Sequence, residues 1–298
     1  MLPLQRLGGG AAECGTGSCS RRPHSPSSSL AAATTNANLK SLVASQIFAN
    51  QAVEIVIVSP GKADGTPASI TVGDPGSIVF AYDAPTQSYT ITGATLSTAY
   101  GPADLQANAS ADPTALRYQH GPNDVLTTAR SVGFGDTSVP WQELSYVGYG
   151  FWNWSSSTSP RNVFFVYGLP TDPAALPTTG SYTYRTDGDE LSWEANVLSY
   201  RHGSFLDLSA DFAAGTVTAR IYSGNAPAPG FPKPLAGQGT GLIDRTKGSF
   251  SVTLSGGGWS GSLQGRFYGP GASEVGTAHA VRSASGAGVV GAMAGAKQ

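Results

Sequence analysis

The sequence predicts an all-β protein, in which a β-rich N-terminal half precedes a small eight-stranded antiparallel up-and-down barrel. Three observations lead to this fold class. Apolar and hydroxyl residues alternate along short segments such as 249–255, as expected for strands with one face in water. Turns rich in glycine and proline separate these segments in a chain that holds 39 Gly and 20 Pro. Helical periodicity is almost absent downstream of residue 178.

The clearest hairpin lies at 248–269. The apolar residues of its two arms are Phe250, Val252, Leu254, Trp259, Leu263 and Phe267. Gly261 and Gly265 share the apolar face of the second arm, and such small residues let a bent strand pass close to its neighbours. Strand closure removes exposed sheet edges, so the regular hairpins of 176–298 favour a closed barrel.

Other segments of 176–298 follow the same plan. Alternating strands are predicted at 203–212 and 216–222, and a proline- and glycine-rich loop at 225–239. Asp187 and Gly188 form a dipeptide typical of hairpin turns, which predicts a turn between two strands there.

The preceding residues divide into a tail and a β-rich half. Residues 1–36 are poor in large apolar residues and predict a disordered tail. Residues 37–175 are interpreted as a handle-like domain that ends in a proline-rich connection, and 176–298 as the barrel domain. Within the handle-like domain, 38–48 suggests a short helix or turn.

Strands are also predicted along the handle-like domain. Residues 53–58 are β-branched and apolar, which favours a strand. Three short segments within 68–93 read as a β-meander because turn residues separate them. A long irregular connection with one short strand near 116–118 is predicted for residues 100–123. Another strand is predicted for 161–168.

The segment 144–154 is the most aromatic of the chain and supplies the candidate binding residues. Aromatic side chains occupy both faces of the predicted strand, so one set needs a cover or a partner. Bulky aromatic residues give large contact area at low entropic cost, which suits a binding surface. The candidates are Tyr149, Phe151, Trp152 and Trp154. The alternative is that these side chains pack between two domains.

Charge and motifs exclude several function classes. Seventeen basic and nineteen acidic residues give a net charge of -2 without a basic run, so nucleic acid is not expected as a partner. No stretch approaches the length of an apolar membrane-spanning helix. The four histidines lack metal-ligand spacing, and neither a nucleophile elbow nor a phosphate loop occurs. We therefore expect a protein that is not an enzyme, without catalytic residues, metal or cofactor.

Cys14 and Cys19 are the two cysteines of the chain, and both precede the predicted domains. A disulfide within the folded part is thereby excluded. The pair is interpreted as thiols of a flexible tail, as half of a zinc site with only His24 nearby, or as lipidation sites. No signal peptide is visible before them, so either the protein is not exported or Met1 is not the natural start.

Several segments resemble the β-barrel domain of the transferrin-binding protein B-like lipoproteins of Gram-negative bacteria. The similar segments are LPTTGSYTY (176–184), DFAAGTVTARIY (211–222), GSFSVTLSG (248–256), SGSLQGRFYGPGASEVGTAHA (260–280) and GAMAGAKQ (291–298). Of these segments, residues 265–276 match the family pattern most specifically. Gly276 and Thr277 stand where the family has a Gly-Gly pair.

The resemblance implies a binding protein of the cell outer membrane or surface, anchored as a lipoprotein, or of the periplasm. Its expected partner is a host iron- or haem-carrying protein, or a small solute, for nutrient acquisition. An outer-membrane transporter is expected as a second partner, and the chain as a monomer. Two alternatives remain at this point: an integral outer-membrane β-barrel, and a lipocalin-type carrier of a small apolar ligand.

Overall fold

The computed structural model of the protein describes residues 35–58, 69–107, 112–133, 141–156, 159–194, 197–222 and 235–298. Residues Ala33–Gln298 form one compact unit. Cys14 and Cys19 lie outside the described residues, as does nearly all of the predicted tail. The described part is all-β, with short 3-10 turns at Pro102–Asp104, Pro173–Ala175 and Pro270–Ala272.

Twelve strands among the described residues precede the barrel. They are β1 (Gln46–Ile47), β2 (Ala49–Val58), β3 (Ser69–Val72), β4 (Val79–Asp83), β5 (Ser88–Thr92), β6 (Ser97–Tyr100), β7 (Leu116–Gln119), β8 (Asp124–Ala129), β9 (Ser131–Val132), β10 (Gln142–Glu143), β11 (Val147–Ser156) and β12 (Ser159–Gly168). We call them together the sandwich, because two of their sheets pack face to face.

The sandwich consists of a four-stranded sheet in the order β1-β4-β5-β6 and a six-stranded sheet in the order β3-β2-β12-β11-β8-β7. A short pair, β10-β9, lies beside them. The buried side chains between the two larger sheets include Phe48, Phe80, Ile91, Tyr100, Leu126, Trp152, Phe165 and Tyr167. An aromatic core therefore joins the two sheets.

Two predictions for the sandwich need correction. Residues 38–48 form bends and the short strand β1, so the turn alternative is right and the helix is wrong. The Asn36 side chain accepts hydrogen bonds from the backbone N–H groups of Val43 (2.8 Å) and Ala44 (2.9 Å), which holds this segment in a non-helical loop. The predicted meander holds only for β4 and β5, because β3 pairs with β2 in the other sheet. β6 lies outside the predicted segment and extends the sheet of β4 and β5.

The barrel is closed by eight antiparallel strands in chain order, as predicted. They are β13 (Ser181–Glu194), β14 (Val197–Asp211), β15 (Thr216–Tyr222), β16 (Leu235–Asp244), β17 (Ser249–Gly256), β18 (Trp259–Tyr268), β19 (Glu274–Ser283) and β20 (Gly288–Lys297). β13 pairs with β20 to complete the cylinder. β16 starts at Leu235, inside the segment 225–239 that was predicted to be a loop.

Side chains fill the barrel interior. Phe267 is buried in this interior, with ring centroids 5.1 Å from Phe212, 5.2 Å from Phe250 and 5.9 Å from Tyr184. Each of these four residues is at most 3% exposed. On β17 the apolar residues point inward and the alternating serine and threonine residues point outward, which confirms the predicted hairpin.

Asp187 and Gly188 do not form the predicted turn. They lie inside the continuous strand β13, at a bulge where the register with β14 shifts between Gly188 and Asp189. A Cβ atom on Gly188 would lie 2.1 Å from the carbonyl oxygen of Ala292 on β20. The glycine is thus required for close approach of two strands, a role that the dipeptide alone does not distinguish from a turn.

The outer face of β13, β19 and β20 packs against the outer face of the six-stranded sheet. The buried residues in this contact include Val53, Ile55, Val147, Phe164 and Val166 from the sandwich, and Leu191, Trp193, Ala278, Ala280, Val290, Ala292 and Ala294 from the barrel. The barrel contributes mainly small residues. They let the two sheets approach closely, so the sandwich and the barrel share a continuous apolar contact.

A buried carboxylate anchors this contact. Glu274, at the start of β19, is 7% exposed, and its carboxylate accepts backbone N–H groups from Ser145 (2.8 Å), Tyr146 (2.7 Å) and Val147 (2.9 Å). Two of these N–H groups immediately precede β11 and the third belongs to its first residue. Burial nevertheless raises the pKa of Glu274 above its ordinary value of 4.5. The barrel therefore holds the first residues of β11 through one side chain.

Replacing Glu274 with glutamine is expected to lower the free energy of unfolding by about 1–3 kcal/mol, because the new amide group would face N–H donors. The folded state binds a proton at Glu274 more readily than the unfolded state does. The stabilising contribution of Glu274 to the free energy of unfolding is therefore fully present below about pH 4.5. It is lost as the pH rises through the raised pKa of the folded state. Urea unfolding of both proteins at pH 7 and pH 5 should show a larger difference at pH 5.

Glu143→Gln serves as a control, because that side chain is 41% exposed and forms surface ion pairs with Lys40 at 3.3 Å and Arg130 at 2.8 Å. We expect its effect at pH 7 to be within about 1 kcal/mol. Equal stability of Glu274→Gln and the unmodified protein would contradict the anchoring role.

Candidate binding cleft between the sandwich and the barrel

The two faces of β11 meet different surroundings. Trp152 and Trp154 point into the aromatic core between the two sheets, where they are 0% and 8% exposed. Tyr149 and Phe151 point the other way, toward the barrel, and are partly buried. The strand is held by β8 on one side and β12 on the other.

Glycines between the aromatic residues allow this arrangement. A Cβ atom on Gly148 would lie 2.8 Å from the Tyr167 ring, and one on Gly150 would lie 2.5 Å from the Phe165 ring. Both rings belong to β12 and cover the glycine positions of the neighbouring strand. The alternation of glycine and aromatic residues in the sequence thus reflects cross-strand packing on the inner face of β11.

Trp152 belongs to a hydrogen-bonded network inside the sandwich. Its Nε1 donates to the Tyr100 hydroxyl at 2.9 Å, and its ring stacks on Trp154 with a centroid distance of 3.9 Å. The Tyr100 hydroxyl in turn donates to the Asp124 carboxylate. A partner could not reach Trp152 without opening the sandwich, so direct binding through this face is not supported by the geometry.

Tyr149 and Phe151 line a cavity of about 670 Å³ between the edge of the six-stranded sheet and the barrel strands β13 and β14. We call it the aromatic cleft. Its other principal side chains are Asp112, Arg117, Trp141, Asn153, Asp189 and Tyr200.

Aromatic side chains form the apolar wall of the cleft. Phe151 makes an edge contact with Tyr200 of the barrel at a centroid distance of 5.6 Å, and it packs on Phe164 at 4.9 Å. Trp141 and Tyr200 are 44% and 41% exposed. Large, rigid and accessible rings of this kind supply contact area at low entropic cost.

Carboxylates give the cleft its electrostatic character. Asp112 and Asp189 line it, and Asp187 lies nearby in β13 with its carboxylate accepting the Gly133 N–H at 3.3 Å. Burial raises the pKa of Tyr149 well above 10.0, and the charges of these three aspartates raise it further. The Tyr149 hydroxyl therefore stays protonated and donates to the Ser131 carbonyl at 3.1 Å.

This arrangement is suited to binding. It offers aromatic faces, hydroxyl groups and carboxylates, with Arg117 as a lining cation. In the part of the chain that the structure describes, no group of three or more histidine, cysteine or acidic residues is placed to hold a metal ion. The same described residues contain no helix long and apolar enough to cross a membrane.

Tyr149 and Phe151, two of the four predicted binding residues, line the aromatic cleft, whereas its residues Trp141, Tyr200 and Asp189 were not among those predicted. Trp141 had a usable signal, since it is an isolated tryptophan that precedes the polar residues Gln142 and Glu143. Tyr200 and Asp189 had none, because they reach the cleft only through the pairing of β13 with β14.

Comparison with known proteins agrees with the barrel geometry. Residues 170–298 match a family model described as the C-lobe and N-lobe β-barrels of Tf-binding protein B. This part is a transferrin-binding protein B-like β-barrel domain. Among curated proteins, no sequence matches the chain.

Solved structures similar to the chain include three binding proteins. Transferrin binding protein B from Haemophilus parasuis has 14% identity and a TM-score of 0.42, over 85% of this chain and 76% of that chain. Isotype 1 transferrin binding protein B from serogroup B Neisseria meningitidis has 11% identity and a TM-score of 0.49, over 83% and 43%. The N-lobe of lactoferrin binding protein B from Moraxella bovis has 12% identity and a TM-score of 0.36, over 82% and 99%.

Proposed function

We propose that this chain is a non-enzymatic binding protein of the Gram-negative cell surface or periplasm. Its partner would be a host iron-carrying protein, haem or another solute, bound for nutrient acquisition. The sandwich would be the handle-like half that contacts the partner. The transferrin-binding protein B-like barrel would support the sandwich. The family match of the barrel supports this class of function.

The aromatic cleft is the observation that carries the proposal. It combines accessible rings from both halves of the protein, Trp141 from the sandwich and Tyr200 from the barrel, with carboxylates at its wall. Binding surfaces are enriched in tyrosine and tryptophan for the same physical reason, namely large contact area with few rotatable bonds. Tyr149 and Phe151 are proposed as the residues that support these exposed rings.

Two alternatives are less well supported. A lipocalin-type carrier needs a hollow barrel, whereas the interior of this one is packed with buried apolar side chains, among them Leu208, Val252 and Leu263. An integral membrane barrel needs an apolar outer face, whereas the outward residues Ser251, Thr253 and Ser255 of β17 are polar and exposed.

Anchoring through Cys14 or Cys19 remains part of the proposal, as do an outer-membrane transporter as second partner and a monomeric state. Mass analysis of the mature N-terminus from native cells tests the anchor. A diacylated cysteine would support it, and an unmodified Met1 in the cytoplasmic fraction would contradict it.

Binding is tested by surface plasmon resonance with the immobilised protein against iron-loaded transferrin, lactoferrin and haem. We expect one of the three to bind, and the double variant Trp141→Ala/Tyr200→Ala to weaken that binding by about tenfold or more, as for removal of interface anchors. Both side chains are exposed, so the variant should fold normally.

Leu242→Ala is the matched control, because Leu242 is 73% exposed on the barrel and lies outside the cleft lining. Its affinity should equal that of the unmodified protein. Unchanged affinity in the double variant would contradict the proposed function at this cleft, and failure of all three candidates to bind would contradict an iron- or haem-related partner.

A further inference from the structure

A second cavity, partly open to solvent, is lined by residues of both larger sheets of the sandwich and of the segment 39–42. It measures about 200 Å³, several times the volume of a water molecule in the liquid. Its lining residues are Leu39, Lys40, Leu42, Tyr82, Tyr89, Thr114, Leu116, Thr128, Arg130 and Tyr167. We call it the tyrosine cavity. It is separate from the aromatic cleft in all its lining residues except Thr128.

Two positively charged side chains, Lys40 and Arg130, line the tyrosine cavity. Lys40 Nζ lies 3.3 Å from Glu143, and Arg130 Nη1 lies 2.8 Å from the other oxygen of the same carboxylate. Glu143 is not among the lining residues. Two positive side chains therefore share one carboxylate partner on the solvent side, and both still line the cavity.

The remaining polar groups of the tyrosine cavity are hydroxyls. Tyr89 and Tyr82 are half-buried, with ring centroids 5.1 Å apart, and the Tyr89 ring stacks on Phe80 at 5.5 Å. Within the described part of the chain, neither hydroxyl makes a hydrogen bond to the protein. Burial holds the pKa of Tyr89 above its ordinary value of 10.0, so its hydroxyl is a donor.

We propose that the tyrosine cavity binds a small carboxylate, with Arg130 and Lys40 facing the carboxylate group, Tyr89 donating a hydrogen bond, and Leu42 and Leu116 contacting the apolar part. Guanidinium and ammonium groups form strong, charge-assisted hydrogen bonds with a carboxylate, and a phenol supplies one further donor. A cavity of this size admits only a compact molecule. This site is independent of partner binding at the aromatic cleft.

The test uses benzoate and its neutral analogue benzamide as probes of the full chain. Ligand-observed NMR titration should show benzoate binding at least about tenfold more tightly than benzamide, because charge-assisted hydrogen bonds are lost in the amide. Equal affinities, or no benzoate binding at any concentration up to its solubility, would overturn the proposal.

Variants locate the binding site. Arg130→Gln should weaken benzoate binding by about tenfold or more, and Tyr89→Phe, which removes a single hydroxyl, by a smaller factor. Arg220→Gln, a change of an exposed arginine on the barrel strand β15 that lines neither cavity, should leave it unchanged. Unaltered affinity in both Arg130→Gln and Tyr89→Phe would place benzoate elsewhere. The comparison of benzoate with benzamide needs no variant, so misfolding of Arg130→Gln would not decide the outcome.

Discussion

Leu254→Asp is expected to unfold the barrel. Leu254 is 0% exposed and belongs to the apolar core that fills the cylinder. An isolated carboxylate in such a core either loses its hydration or must take up a proton, at a cost of several kcal/mol. Because the total stability of a typical domain is only about 5–15 kcal/mol, the barrel should not survive this change. Thermal melting followed by circular dichroism measures the effect.

Thr253→Asp is the matched control for this prediction. Thr253 is the adjacent residue of β17, and its side chain is exposed on the outer face of the barrel. The same new charge is hydrated there, so we expect a change within about 0.5 kcal/mol. If Leu254→Asp melted at the midpoint of the unmodified protein, the assignment of the inner and outer faces would be wrong.

Trp152→Ala is expected to destabilise the protein by about 3–5 kcal/mol, the usual cost of removing a large aromatic side chain from a packed core. The change would leave a cavity between the two sheets and would remove the hydrogen bond to the Tyr100 hydroxyl. It would also remove the stacking partner of Trp154. Urea unfolding followed by far-ultraviolet circular dichroism measures the loss.

Trp141→Ala provides the comparison, because it deletes the same side chain from an exposed position at the aromatic cleft. It should change the free energy of unfolding far less than Trp152→Ala does. Should Trp152→Ala keep full stability while abolishing partner binding, Trp152 would be a contact residue and the core assignment would be refuted.

The prediction of the barrel succeeded because its signal is local. Phe250, Val252 and Leu254 alternate with hydroxyl residues, and any strand of that composition has one apolar and one polar face. The prediction failed at Gly188 for a physical reason. A glycine is needed both in tight turns and where two backbones approach closely. The sequence alone does not show which of these two roles a given glycine has.

The aromatic segment shows the same limit more clearly. The alternation along β11 predicted two aromatic faces, and both exist. Which face is buried between the sheets depends on β12, whose Phe165 and Tyr167 rings cover Gly150 and Gly148. The accessible rings of the cleft come from outside the segment altogether, since Trp141 precedes it and Tyr200 lies in the barrel.

The sequence by itself determined that this is a β protein, where most of its strands lie and which residues of the barrel strands share a face, because a period of two residues is a property of neighbouring positions. The tertiary structure alone decided which apolar faces fill the barrel, which join it to the sandwich and which side chains meet in the aromatic cleft. These outcomes depend on hydrogen-bonded pairing between segments far apart in the chain, and a one-residue shift of register reverses the faces of a strand.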